Sequence, residues 1–358
     1  MPDENKHGTK PEALTYASSG VDIEAGAEVV SRIKDMARTT FTKETLSDIG
    51  SFGALFDASF PGLEKPTLVS SADGVGTKLK LAFATGKHHT VGEDLVNHCI
   101  NDILVQGARP LFFLDYFATG KLAPDIAAET ISGIANACRK TGTAFIGGET
   151  AEMPDFYQPG EYDLAGFIVG VVDRGALIDG SAIKAGDKLL ALSSNGLHTN
   201  GFSLARRALF EEAGRTYDEH VDELGSTIAE ALMEIHTCYL GAVSEMQSRK
   251  AAISGMAHIT GGGIAGNLSR IIPDGLQAKV DLSGSEPPVI FKFIQRCGSL
   301  AGAEMFRAFN MGVGYVIACP PESLSDIKQI ASSHGHGPFE IGEVVKAAGK
   351  SNQKVTLG

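Results

Sequence analysis

The sequence predicts an α/β protein of the α+β kind, folded as two domains. Three observations predict it. The 358 residues exceed what one hydrophobic core usually organises. Residues 60–172 alternate β-prone apolar runs with segments of helical periodicity, the pattern of one α/β unit. Farther on, short apolar runs end in glycine-rich turns that open helices, which predicts a mixed sheet layered with helices over 173–358. The boundary is placed after the apolar run 162–172, at Asp173-Arg174-Gly175.

Composition narrows the function classes. Hydrophobic residues make up 43% and charged residues 21%, and no apolar run reaches the roughly eighteen residues that cross a bilayer. The polar start MPDENKHGTKPE has no signal-peptide core, so a cytoplasmic location without a membrane partner is expected. A formal charge of −12 disfavours a sequence-independent grip on nucleic acid, and an anionic substrate must meet a local cationic site. The five cysteines are scattered without a Cys-x-x-Cys pair, which indicates neither zinc nor a disulfide framework.

In chain order, the first dozen residues lack periodicity and read as a mobile arm. Residues 23–38 read as a helix carrying Lys34, and 40–67, with Pro61 and Pro66, as short strands and loops. The run 68–71 is a strand that stops at Ala72-Asp73-Gly74-Val75-Gly76-Thr77-Lys78. Gly74 and Gly76 let backbone N–H groups approach a polyphosphate, Lys78 can neutralise it, and Asp73 suits Mg²⁺. The order Gly76-Thr77-Lys78 is not that of a P-loop, and an ordinary hairpin turn is the competing reading. Residues 92–107 have helical periodicity, with Asp94, Asn97, His98, Asn101 and Asp102 on the polar face. No nearby cation balances the two carboxylates, so divalent metal on Asp73, Asp94 and Asp102 is one reading and a solvated face the other. A strand at 111–117, a helix at 125–141 and a strand at 144–146 follow, the last delivering Gly148-Glu149-Thr150.

The second half opens with a strand at 188–192, the turn 193–201 with His198 and Asn200, and a helix at 202–213. Helix starts accept anions through unpaired N–H groups. Residues 256–260 form a strand before Gly261-Gly262-Gly263-Ile264-Ala265-Gly266, formally a dinucleotide G-x-G-x-x-G with Asp281 twenty residues after Gly261.

The runs Ser71-Ala72-Asp73-Gly74-Val75-Gly76-Thr77-Lys78, Asn101-Asp102-Ile103-Leu104-Val105-Gln106-Gly107-Ala108-Arg109-Pro110 and Gly147-Gly148-Glu149-Thr150-Ala151-Glu152-Met153-Pro154 resemble the phosphoribosylformylglycinamidine cyclo-ligase family, over about residues 16–345. The resemblance implies ATP-dependent closure of an imidazole ring on formylglycinamidine ribonucleotide, with ATP and Mg²⁺ as cofactors. It implies a nucleotide-adjacent segment at 1–59, an ATP-binding and dimerisation domain at 60–172 whose sheet pairs in a homodimer, and a substrate-binding domain at 173–358. ATP would be met by Lys34, Asp73, Gly74, Gly76, Thr77, Lys78, Asn101, Asp102, Glu149 and Thr150. The ribonucleotide would be met by His198, Asn200, His258, Thr260, Gly261, Gly262 and Gly263. Lys78, His198 and Asp94 are the expected catalytic groups, His198 as proton acceptor because an ordinary imidazole titrates near neutrality. Where many members carry Pro-Thr-Arg-x-Tyr, this chain has Ile235-His236-Thr237-Cys238-Tyr239. Other ATP-dependent phosphoryl-transfer enzymes of the superfamily, or a non-catalytic nucleotide-binding regulator, are the alternatives.

Overall fold

The structure is a computed structural model and describes residues 21–50, 52–347 and 353–358. The expected mobile arm lies outside these residues. Helix α1, Ile23–Arg38, starts where the Asp22 carboxylate accepts hydrogen bonds from the Glu24 and Ala25 N–H groups, and it buries Val29, Ile33 and Ala37. A mostly irregular stretch with one bridge, Thr45 to Phe56, leads to strand β1, Pro66–Gly74. The strand runs on through Asp73, so the expected turn begins later. Gly76–Lys78 forms a single 3₁₀ turn that feeds α2, Leu79–Thr85, and the hairpin reading fails.

The remaining elements of this half are α3, His89–Leu104, β2, Arg109–Thr119, α4, Pro124–Thr141, β3, Ala144–Glu152, and β4, Tyr162–Asp173. The sheet order is β1-β4-β2-β3, antiparallel except for the β2–β3 pair that α4 connects. Helices α3 and α4 meet at glycines: a Cβ on Gly133 would lie 1.9 Å from the His89 carbonyl oxygen, and one on Gly92 would lie 2.1 Å from that of Thr130. The β1 and β4 surface still exposes Leu68 and Phe167.

The second half contains β5, Lys188–Ser193, α5, Phe202–Arg206, the small hairpin β6, His220–Val221, and β7, Ser226–Thr227, and then α6, Ile228–Leu232, and α7, Leu240–Ser248. It continues with β8, Gly255–His258, α8, Gly263–Leu268, β9, Leu276–Val280, α9, Val289–Cys297, and α10, Gly302–Ala308. It ends with β10, Val313–Cys319, α11, Leu324–Ser333, β11, Pro338–Lys346, and β12, Val355–Leu357. Its main sheet has the order β12-β9-β11-β5-β10-β8 and is mixed, because β12 alone pairs in parallel. The single helix expected over 202–213 divides at Arg207 into a π-helical turn, closed where the Ala213 N–H reaches the Ala208 carbonyl.

Candidate active site

Helix α3 positions the centre of the site, and nearly all of it is buried. Its polar face is not solvated: residues 94, 97 and 101 form a ladder that holds segment 234–239 of the second half. Asp94 accepts from the His236 N–H at 2.7 Å, Asn97 donates to the His236 carbonyl at 2.8 Å, and Asn101 donates to the Thr237 carbonyl at 2.8 Å while accepting from the Tyr239 N–H at 3.0 Å. The i, i+3, i+7 spacing that reads as an amphipathic stripe is here an interface between the two halves.

The cation that seemed missing is Lys78. Its ammonium sits 2.7 Å from Asp94, both side chains are fully buried, and it also donates to the Glu234 carbonyl at 2.7 Å. Two expectations are thereby corrected. Asp94 is the partner of a buried ammonium and a backbone N–H, so its oxygens are not presented to a metal. Lys78 faces Asp94 and the Phe202 ring, 5.6 Å away, instead of an open phosphate site. Burial raises the Asp94 pKa and the Lys78 charge opposes that rise.

Asp73 and Asp102 converge elsewhere. Both reach His98 Nε2, at 2.6 Å and 3.7 Å, and Asp102 also takes hydrogen bonds from Ser71 and from His258 Nδ1 at 2.8 Å. Burial raises the pKa of each carboxyl, but the histidines beside them, His98 for Asp73 and His258 for Asp102, pull it below the usual range. Burial likewise opposes protonation of His98, yet Asp73 and Asp102 outweigh it and its pKa rises.

Four imidazoles cluster here: His98, His198, His236 and His258. His236 and His258 face each other Nε2 to Nε2 at 3.0 Å, and His198 stacks on His236 with centroids 4.0 Å apart. His198 is held at φ +62°, and neither of its ring nitrogens has a hydrogen-bond partner among the described residues. Its expected titration near neutrality is overturned. Burial, then the charges of His258 and Lys78, push its pKa well below the ordinary value, so it is a neutral imidazole of reduced basicity. Sequence reasoning put His98 on the polar face without a role and gave His236 none; the only signal for His236 was its departure from the family pattern.

The two glycine loops of the second half do come together. A Cβ on Gly261 would touch Asn200 Oδ1 at 3.3 Å, and Thr77 meets Ser203 at 3.0 Å, which closes the 76–78 turn onto the start of α5. Asn267 ties one loop by donating to the Thr260, Gly261 and Gly263 carbonyls, and Asn310 ties the other by donating to the Gly196 carbonyl and accepting from Ser194. Gly262, at φ +93°, adopts the left-handed conformation at the start of α8. The helices that follow the loops have only 5 and 6 residues, so an anion would rest on individual N–H groups more than on a helix dipole.

Below the cluster, a Cβ on Gly314 of β10 would lie 1.9 Å from Tyr239 Oη and 2.7 Å from His198 Cε1. Tyr239 is fully buried and donates to the Ser193 carbonyl at 2.8 Å, so it cannot yield cheaply. Gly314→Ala is expected to cost about 1–3 kcal/mol of stability and, by displacing His198, about 10²-fold in turnover. Urea unfolding and steady-state assays check this, and unchanged turnover would remove His198 from the chemistry.

Lys34, Glu149 and Thr150 are not brought to this cluster. Lys34, on α1, lies 3.5 Å from Asp48, and Glu149 and Thr150 line a separate cavity of about 380 Å³ between α1, residues 48–50 and 52–54, and the β2–β3 edge. Strands β1 and β3 occupy opposite edges of the four-stranded sheet, which separates Asp73 from Glu149 by three strand spacings, about 14 Å. In that second cavity Asp115 fills the space left by Gly148, and burial followed by the nearby Glu149 charge raises its pKa to about 7.

Because the folded chain keeps this proton between about pH 4 and 7 while the unfolded chain releases it, stability should fall as pH rises through that window and level off above it. Asp115→Asn should remove the decline, by more than about 1 kcal/mol between pH 5 and 8. Urea midpoints at the two pH values measure it; an equal slope in the variant would refute it.

Models of the AIR synthase related protein match this chain twice, the N-terminal domain over residues 57–172 and the C-terminal domain over 184–353. A phosphoribosylformylglycinamidine cyclo-ligase from Alkaliphilus metalliredigens is 48% identical over 335 residues, 94% of this chain and 96% of that protein. The chain belongs to the phosphoribosylformylglycinamidine cyclo-ligase family. A second such cyclo-ligase, from Sorangium cellulosum, is 50% identical over 93% of this chain and 96% of its own length. Solved structures share the fold at lower identity: a hydrogenase maturation protein HypE in complex with ATP, TM-score 0.69 and 17% identity over 95% of this chain and 92% of its own, and the thiamine-monophosphate kinase of Stenotrophomonas maltophilia, TM-score 0.68 and 17% identity over 92% and 95%. The two-domain α/β expectation agrees with the cyclo-ligase family and its structural relatives.

Proposed function

We propose that this chain uses ATP to close the imidazole ring of formylglycinamidine ribonucleotide, giving aminoimidazole ribonucleotide, ADP and phosphate. The observation that carries the reading is near-full-length identity of 48–50% to cyclo-ligases. A kinase or a non-catalytic regulator gains no such support, since those structural relatives share only the fold at 17% identity.

Asp73 and Asp102 are the residues that would hold Mg²⁺. Their oxygens converge on one imidazole nitrogen, both remain partly exposed, and hard carboxylate donors fit an ion that keeps several waters. When bound, that ion neutralises phosphate charge. Asn101 and the Lys78–Asp94 pair fix the loops around them. The 193–201 and 260–267 loops, joined through Asn200 and Gly261, offer N–H groups to the ribonucleotide, with His258 and Thr260 alongside. His198, neutral and without a competing hydrogen bond, is placed to take a proton as the amidine nitrogen attacks. Its low basicity suits a transient proton better than a stable one.

The division of labour follows: residues 60–172 serve ATP and residues 173–358 the ribonucleotide. The separation of Asp73 from Lys34, Glu149 and Thr150, together with the exposed Leu68 and Phe167, supports a homodimer in which paired sheets complete each ATP cleft. A cytoplasmic location suits a metabolite substrate, and no helix of the described residues is long and apolar enough to cross a membrane. ADP release measured with and without formylglycinamidine ribonucleotide tests the activity. Release that ignores the substrate, or a chain that turns over nothing, would overturn it; a stable monomer in the ultracentrifuge would overturn the dimer alone.

A further inference from the structure

Histidines 198, 236 and 258 are not used as a unit by the proposed reaction. Each offers one ring nitrogen, and these three atoms lie within 4.8 Å of one another, all buried. Two further features show how the rings are oriented. His258 directs Nδ1 to the Asp102 carboxylate at 2.8 Å, which fixes its Nδ1–H tautomer and turns Nε2 inward, and His236, with Nδ1 3.3 Å from Thr199 Oγ1, turns its own Nε2 to the same point. The two Nε2 atoms are then 3.0 Å apart, near the about 3.3 Å set by two metal–nitrogen bonds of about 2.0–2.1 Å at a tetrahedral angle. The third imidazole, His198, is buried beside them with both ring nitrogens unpartnered among the described residues. An imidazole in this condition normally forfeits hydrogen-bond energy, and its backbone is held in a left-handed conformation that is uncommon outside glycine.

We propose that His198, His236 and His258 form a site for a transition-metal ion of the Zn²⁺ class, adjoining the carboxylates that suit Mg²⁺ and linked to them through the bond between His258 and Asp102. Three neutral imidazoles favour borderline ions such as Zn²⁺ or Co²⁺ over Mg²⁺, which takes oxygen donors. Asp102 acts on this site from outside, as the carboxylate behind a metal-binding histidine. His236 is the residue that makes the set, and the 2.7 Å bond from its N–H to Asp94 holds it there. One consequence rests on the proposed function: an ion held there occupies His198 and His258, so it inhibits ring closure.

The test uses the untagged full chain, stripped with a chelator and dialysed against Zn²⁺ or Co²⁺ in excess Mg²⁺. One ion per chain is expected, with the absorption of four-coordinate Co²⁺ and paramagnetically shifted, exchangeable imidazole N–H resonances from His236 and His258. His236→Gln and His198→Asn should each weaken binding by about 100-fold or more, the asparagine being tolerated at positive φ; Asp102→Asn should weaken it by about 10- to 100-fold. Binding of less than one ion, displacement by Mg²⁺, affinity unchanged in both histidine variants, or no shifted N–H resonances in the unaltered protein would each overturn the site. Substrate-dependent ADP release by the chelator-stripped protein, assayed with Mg²⁺ and without Zn²⁺ or Co²⁺, tests the proposed function independently. If Zn²⁺ binds as described and turnover persists, the metal site stands and the roles given to His198 and His258 fall.

Discussion

Replacing Lys78 with methionine is expected to destabilise the protein by about 3–5 kcal/mol, because it leaves a fully buried carboxylate with no counter-ion. The sequence alone suggests a different result for this pair, that removing the Asp94 charge would relieve an uncompensated acidic cluster and spare folding. The structure reverses that expectation: Asp94→Asn strands an ammonium and weakens the anchor of the His236 N–H, so it should also cost stability. The double variant Lys78→Met with Asp94→Leu removes both charges and should recover most of the loss, since a buried pair exchanged for apolar groups is often neutral. Urea unfolding of the unaltered protein, Lys78→Met, Asp94→Leu and the double variant gives the coupling. A value near zero would mean that the pair is not formed in solution. Turnover should fall in all three variants, as the loops carried by segment 234–239 lose their register.

Gly133→Ala should cost about 3 kcal/mol or more. Its methyl would meet the His89 carbonyl oxygen at 1.9 Å, where two helix backbones touch and neither can rotate away as a side chain would. The opposing Gly92 would have the same difficulty, with Thr130 at 2.1 Å. Pushing α3 from α4 also shifts the ladder of Asp94, Asn97 and Asn101. The variant should therefore lose turnover as well as stability, measured by urea unfolding and ADP release. A stability loss under 1 kcal/mol would show that α3 and α4 are less closely packed than this.

Local signals were read well from the chain. The helix expected at 23–38 is α1, Ile23–Arg38, and the strands at 111–117 and 188–192 fall inside β2 and β5. Periodicity and capping act over one to four residues, so the sequence carries them directly. The motifs also pointed to the family, and Asp73, Asp102 and His258 do meet in space.

What pairs with what was a different matter. The polar face of α3 looked like a surface short of a cation, because its cation lies sixteen residues upstream and its hydrogen-bond partners more than 130 residues downstream. The ordinary basicity expected of His198 failed for the same reason: its residue type says imidazole, but its burial beside Lys78 and His258 lowers its affinity for a proton. By itself the sequence determined the elements, the glycine turns and the family. Only the tertiary structure decided that Asp94 neutralises Lys78, that His236 joins the imidazole cluster, and that Glu149 lies across the sheet from Asp73. Desolvation and charge pairing are set by groups distant in the chain, and no local pattern encodes them.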